Sequence, residues 1–235
     1  METMEAMKMK DRKEHPVWII GCGPGAREYV TPAALQAIQE ADVIAGAGRL
    51  LALIPDSAAE RLVVDADIHH VLEEIEKRSR TKTVAVLVTG DPGIFSLARP
   101  VIARFGRKRC RVIPGVSSLQ AAFARLALDW HDARIVDAHG GDPEMDPASL
   151  AGEGKIAVFI GRKEACRWVE RLAECLGENY RLFLCADLTL PEERVREITP
   201  AELQAELPAK LPAGLRGEQA STRSILIFLH RELFP

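Results

Sequence analysis

The chain has no C-x-x-C pair, no long apolar run, no excess of one charge and no internal repeat. Each absence removes a class of function. The five cysteines (Cys22, Cys110, Cys166, Cys175 and Cys185) are odd in number and scattered. That pattern argues against a disulfide framework or a zinc site, and for reduced thiols used as small apolar residues in a cytoplasmic protein. No apolar run approaches the roughly 18 residues that a membrane span needs, so no membrane role is expected. The opening METMEAMKMKDRKEHP carries charge but no apolar stretch. It reads as a flexible tail over residues 1–16, not as a signal peptide. A net charge of −3 gives no electrostatic footprint for nucleic acid or an acidic membrane. An anionic ligand would have to be met by a few local arginines. No solenoid-period repeat or low-complexity segment is present beyond the tail.

What remains is an ordinary globular composition, 47% hydrophobic and 28% charged over 235 residues. That length suits two α/β halves better than one core. Val17–Ile20 is a short apolar run closed by Gly21-Cys22-Gly23-Pro24-Gly25, as a buried parallel strand would be. Thr31-Pro32 then reads as a helix N-cap with proline at the first position. Strands are expected at 42–45, 84–88 and 111–113, and helices at 68–78 and from about 96 to 105. Strand and helix alternate, which predicts a parallel sheet with right-handed crossovers. Ligands of such sheets lie beyond the carboxyl ends of the strands. The glycine loops 21–25 and 89–93 both fall there.

Val116-Ser117-Ser118 opens a helix that reads as a bridge into a second half. The expected domains are therefore 17–115 and 116–235. The second half offers strands at 133–136, 156–160, 181–186, 194–198 and 224–229, with helices at 163–176 and 200–207. Fewer helices separate the later strands, so some antiparallel pairing is expected.

The first loop invites comparison with a dinucleotide fingerprint. Its third glycine comes one residue early, and Pro24 removes a backbone donor. No acidic residue follows the second strand, which ends in Gly46-Ala47-Gly48-Arg49. The second loop, Thr89-Gly90-Asp91-Pro92-Gly93, places a carboxylate at the sheet edge. That suits a cationic nucleoside ligand with an ammonium, a sulfonium and ribose hydroxyls. Taken alone, Gly-Asp-Pro-Gly is an ordinary turn.

Taken together and in order, GCGPG, ADVIAGAGRLL, TGDPGIFS and IPGVSSLQ resemble the tetrapyrrole methylase family. The resemblance runs from about Val17 to the C-terminus. Within the family, IPGVSSLQAAFARLALDWHDARIVDAHG is most similar to the branch that methylates carbon 5 of precorrin-7 or cobalt-precorrin-7 in cobalamin biosynthesis. The resemblance implies an α/β fold of two domains, with S-adenosylmethionine in the cleft between them and a small-molecule tetrapyrrole as substrate. The implied cofactor contacts are Pro24, Gly90, Asp91, Ile94, Phe95, Val116, Ser117 and Ser118, joined by Ile160 and Ala186 from the second domain. It also implies a homodimer. Some relatives are fused to a second, decarboxylating methylase, and no such domain fits here. A separate decarboxylating C15-methyltransferase is the expected partner in the pathway. Two departures stand out. Ile94 replaces a bulkier aromatic before Phe95, and LCADLTLPEERV has no glycine-rich turn before its proline.

The chemistry implied is attack by an electron-rich tetrapyrrole carbon on an activated methyl. Positioning, exclusion of water and acceptance of one proton are then the protein's tasks. No covalent nucleophile and no resident metal are expected; any cobalt arrives with the substrate. His139 fits substrate contact or proton transfer, and equally a hydrogen-bonded loop histidine. His69-His70 reads as surface. Arg27, Arg49 and Arg99 lie near the loops and suit the substrate's carboxylates, though each is also an ordinary surface arginine. Arg107-Lys108-Arg109 reads as a solvated turn. Removal of the Asp91 carboxylate is expected to weaken cofactor binding with the fold intact. The rival readings are a methylase for another ring carbon, a dinucleotide-dependent oxidoreductase, and a non-catalytic tetrapyrrole or nucleoside carrier.

Overall fold

The computed structural model describes residues 15–55, 57–64, 67–161, 166–206 and 224–233. Most of the tail expected over 1–16, the start of the helix expected from 163 and the Cys166 side chain lie outside the described residues. The chain divides into two compact units between Ser117 and Ser118.

The first unit is built on five parallel strands: β1 (Val17–Gly21), β2 (Val43–Gly46), β3 (Glu60–Val63), β4 (Val84–Val88) and β5 (Cys110–Ile113), in the order β3-β2-β4-β1-β5. β1, β2 and β4 are buried at every residue because helices cover both faces. The pleat divides their side chains between two cores. Trp18, Ile20, Ile44, Ala85 and Leu87 pack with α1 (Pro32–Gln39) and α2 (Gly48–Leu53). Val17, Ile19, Val43, Val84 and Val86 pack with α3 (Ile68–Ser79) and α4 (Ala98–Phe105). The helix starts follow local chemistry. Thr31 Oγ1 accepts from Ala34 N at 3.1 Å with Pro32 behind it, and Asp67 caps α3 by accepting from His70 N at 3.1 Å. Two elements depart from the reading above. β3 (ERLV) lies at a sheet edge, with two charged residues before two apolar ones and exposure that alternates along it, and α2 follows Ala47, which offers no side-chain cap.

The second unit holds β6 (Arg134–Ala138), β7 (Lys155–Ile160), β8 (Tyr180–Ala186), β9 (Arg194–Ile198) and β10 (Ser224–His230), ordered β6-β7-β10-β8-β9. β6 and β7 pair in parallel; β10 runs antiparallel to both β7 and β8, and β9 antiparallel to β8. α5 (Ser118–Arg125) packs against β10. On the face formed by Val136, Ile156, Val158, Leu182, Leu184 and Phe228 lies α6 (Cys166–Leu176), which buries Trp168, Val169 and Leu172. Trp168 is fully buried and donates its indole N–H to Met145 O at 2.8 Å, which meets the polar requirement of so large a core residue. α7 (Pro200–Glu206) begins at a Thr199–Glu202 capping box, in which Glu202 Oε2 accepts from Thr199 N and Thr199 Oγ1 accepts from Glu202 N. Lys155, the buried first residue of β7, donates to Asp129 O and Oδ1 and to His131 O, and pairs with Asp132. It ties down the turn before β6 at the amino edge of the sheet. Among the described residues no helix is long and apolar enough to cross a membrane.

The thiols differ from the uniform role expected of them. Cys22 and Cys185 are buried fillers, but Cys175 lies exposed on α6.

Candidate active site

The carboxyl edge of the first sheet is made by close approach of backbone. Gly21, Gly90 and Gly115 end or follow β1, β4 and β5, three adjacent strands. A Cβ on Gly21 would stand 2.6 Å from both Gly115 N and Gly90 O, and one on Gly115 would stand 2.4 Å from Gly90 O. Any side chain at these points would collide with main chain. The two glycine loops also pair directly. Gly90 N donates to Gly23 O at 2.8 Å and Gly23 N to Gly90 O at 3.4 Å. Both residues have positive φ, 68° and 77°, which glycine adopts without penalty.

Asp91 closes this edge. Its Oδ1 accepts from Gly93 N at 2.8 Å and its Oδ2 from Gly115 N at 3.1 Å. One carboxylate thus joins the loop after β4 to the segment after β5. The carboxylate is therefore also a structural link, where the sequence reading made it a binding group more than a packing group. An ionised carboxylate has about four acceptor sites, so two remain for a cationic ligand. Past it, Ser96 Oγ donates to Pro92 O at 2.7 Å and accepts from Ala98 N at 3.1 Å. Inside this tight turn Phe95 takes a φ of 43° and stays 47% exposed. A non-glycine residue held in the left-handed region costs about 1–3 kcal/mol and is typically retained where function requires it. Ile94 is half-buried and Pro24 buried.

The expected arginines separate. Arg49, in the first turn of α2, donates from both Nη atoms to Thr89 Oγ1 at 3.2 and 2.9 Å, so it belongs to the glycine edge. Arg27 stands exposed in a short 3₁₀ turn, Arg27–Tyr29, and Arg99 is exposed at the start of α4. Among the described residues, no hydrogen bond ties either of them to the glycine edge. Ser117 is buried, while Val116 and Ser118 are half-buried.

The second sheet has its own carboxyl edge. Ala138 of β6 pairs with Ile160 of β7, which pairs with Ser224 of β10, which pairs with Ala186 of β8. Ile160 and Ala186 therefore lie in one row, two strands apart. His139 directly follows Ala138. Its backbone N–H is accepted by Asp137 Oδ1 at 3.0 Å, and its imidazole lies over Gly161, where a Cβ would come within 2.3 Å of Cδ2. The histidine joins this row because residue 161 has no side chain. Between Ala186 and Arg194, partners across β8 and β9, runs the loop 187–193. It has no glycine, yet Asp187 and Thr189 take φ of 49° and 70°.

The sequence reading gave no site role to Thr89, Gly115 or Gly161. Thr89 and Gly161 follow strand ends directly and Gly115 comes one residue further on, after Pro114, and that placement is the signal that marks them. Cys22 sits in the first loop, where a nucleophile would be sought. Burial pushes its thiol up to about 12, and it donates to Ile20 O, so it stays protonated and unreactive at neutral pH. Among the described residues no group of three His, Cys, Asp or Glu side chains is placed to hold a metal ion.

Comparison with known proteins agrees with this architecture. The family model described as Tetrapyrrole (Corrin/Porphyrin) Methylases matches residues 16–204. The chain is 32% identical to the cobalt-precorrin-7 C(5)-methyltransferase of Salmonella typhimurium over 80% of its own length and 92% of that protein. It superposes on the precorrin-6Y methylase of cobalamin biosynthesis from Archaeoglobus fulgidus with a TM-score of 0.63 at 26% identity, covering 92% of this chain and 98% of that one. The uroporphyrin-III C-methyltransferase from Thermus thermophilus, solved with S-adenosylhomocysteine, shares the fold with a TM-score of 0.67 at 23% identity, covering 93% of each chain. With two α/β units, two ordered carboxyl edges and this family match over most of its length, the chain belongs to the tetrapyrrole methylase family.

Proposed function

We propose that the protein transfers a methyl group from S-adenosylmethionine to carbon 5 of precorrin-7 or cobalt-precorrin-7 in cobalamin biosynthesis. The observation that carries this reading is the glycine-built edge at Gly21, Gly23, Gly90 and Gly115, set beside the likeness to the Salmonella methyltransferase. The edge fits an S-adenosyl ligand. It offers close backbone approach, spare acceptor sites on Asp91 for an ammonium, and an exposed aromatic at Phe95. A pyrophosphate would instead want the donor that Pro24 removes. When bound, S-adenosylmethionine would supply an activated methyl group, open to in-line attack at the methyl carbon by the electron-rich tetrapyrrole carbon, with S-adenosylhomocysteine as the leaving group.

The residues assigned to the cofactor are Pro24, Gly90, Asp91, Ile94, Phe95, Val116, Ser117 and Ser118, with Ile160 and Ala186 from the second sheet. Their work is to fix the methyl donor and keep water away from it. Arg49, oriented through Thr89, meets a substrate carboxylate, and Arg27 and Arg99 add charge around it. His139, seated over Gly161, takes the proton released from the methylated carbon. The buried thiols have no covalent role. The protein works in the cytoplasm as a homodimer.

Calorimetric titration with S-adenosylhomocysteine, run beside NADH, tests the cofactor assignment. One site per chain for the first and none for the second is expected; binding of NADH alone would reverse it. Incubation with the tetrapyrrole then reads the reaction. The product mass should rise by one methyl without loss of carbon dioxide, and two methyls or decarboxylation would contradict the assignment.

A further inference from the structure

The loop 187–193 leaves β8 directly after Ala186 and enters β9 at Arg194. Its backbone is unusual. Asp187 and Thr189 both stand in the left-handed region, and for a β-branched threonine that is an outlier. Turns from Leu190 N to Asp187 O and from Glu193 N to Leu190 O, each 3.0 Å, shape the loop but leave the Thr189 N–H to be met elsewhere. Glu193 meets it, as its Oε2 accepts from Thr189 N at 2.5 Å. The same carboxylate is gripped side-on by Arg125, at the end of α5. Arg125 Nε donates to Oε1 at 2.6 Å and Nη2 to Oε2 at 3.1 Å. A bidentate guanidinium fixes the plane of a carboxylate, not merely its distance. The Glu193 side chain is only 22% exposed, so the pair is partly shielded from water. The Arg125 guanidinium foremost, with help from the Thr189 N–H, holds the Glu193 carboxyl below its ordinary range.

We infer that Glu193, clamped by Arg125, is a positioning residue that sets the loop following Ala186 and thereby the cofactor affinity of this edge. This rests on the reading of Ala186 as a cofactor contact. Neither side chain is required to touch the cofactor. Glu193 acts through the Thr189 main chain, and Arg125 acts through Glu193. The arrangement does by a fixed charge what a glycine-rich turn would do by conformational freedom.

The test uses the intact chain, with urea midpoints to certify folding, amide hydrogen exchange at Thr189 and titration with S-adenosylhomocysteine. Glu193→Ala should speed exchange at Thr189 and weaken binding about tenfold, the equivalent of one charge-assisted hydrogen bond. Glu193→Gln, whose amide oxygen still accepts the Thr189 N–H, should keep most of both. At saturating cofactor, kcat should not change. Should Glu193→Ala fail to fold, Arg125→Gln, which leaves the acceptor but frees its plane, should weaken binding about threefold. A folded variant of either kind that binds S-adenosylhomocysteine as the native chain does overturns the inference. So does slow exchange at Thr189 in Glu193→Ala. Failure of the native chain itself to bind S-adenosylhomocysteine would strike the cofactor reading instead.

Discussion

The two sheets meet the same need at their carboxyl edges, a sharp change of chain direction, and meet it by opposite means. In the first unit side chains are removed: Gly21, Gly90 and Gly115 let three strands end against one another's main chain. In the second unit the loop after β8 keeps its side chains, bends Asp187 and Thr189 into the left-handed region, and is held there by Glu193 and Arg125. The first solution is steric and should respond to added volume. The second is electrostatic and should respond to charge and pH. His139 over Gly161 lies between these cases, since one missing side chain makes room for another.

The steric side of the contrast breaks first at Gly115. Gly115→Ala places a methyl 2.4 Å from Gly90 O and 2.7 Å from Gly21 C, both main-chain atoms that cannot swing away. A loss of about 3 kcal/mol is expected in urea denaturation, at the upper end for overpacking. A variant as stable as the native chain would mean that the three strand ends tolerate separation. Next comes Asp91. Asp91→Ala strands the Gly93 and Gly115 N–H groups and should cost about 2 kcal/mol as well as cofactor affinity. Asp91→Asn keeps an acceptor oxygen and should lose less. Full stability of Asp91→Ala, with affinity alone reduced, would reduce Asp91 to a binding group.

The smallest effect concerns pH. The Glu193 carboxyl is held below its ordinary value of 4.5, chiefly by Arg125. Its stabilisation is therefore complete above about pH 4.5 and is lost as pH falls through the lower folded-state value. With Arg125 37% exposed, it amounts to no more than about 1 kcal/mol. The gap in urea midpoint between the native chain and Glu193→Gln should be constant near neutrality and close in acid. A gap that persists in strong acid would show that the carboxylate's charge is not what holds the loop.

The contrast also explains what could be read from the sequence. Glycine leaves a local trace, so the loops at 21–25 and 89–93 and their common edge were legible, as was the Thr31-Pro32 helix start. The antiparallel turn of the second half was legible from its missing helices. β3 was not, because Glu60-Arg61-Leu62-Val63 lies at an edge where half its residues face water and the apolar signal is diluted. Nor was the loop 187–193. Nothing in Asp187-Leu188-Thr189 announces a left-handed backbone, and the residue that clamps it, Arg125, is separated from Glu193 by 68 positions. Interactions that cross such distances depend on the fold and leave no spacing to detect. The double duty of Asp91 was hidden for the same reason, since Gly115 comes 24 residues later.

The position of β10 in the middle of the second sheet has a consequence for the order in which the protein is made. All five strands of the first sheet have left the ribosome once Ile113 is free, and that unit can fold while synthesis continues. The second sheet cannot close in the same way, because Ser224–His230 supplies the strand between β7 and β8. Until that stretch emerges, the nascent chain carries two apolar strands with open hydrogen-bonding edges, the condition most exposed to mispairing with a neighbouring chain. The carboxyl edge of the second sheet, where Ile160 and Ala186 lie, is therefore completed by the last of its five strands to be translated.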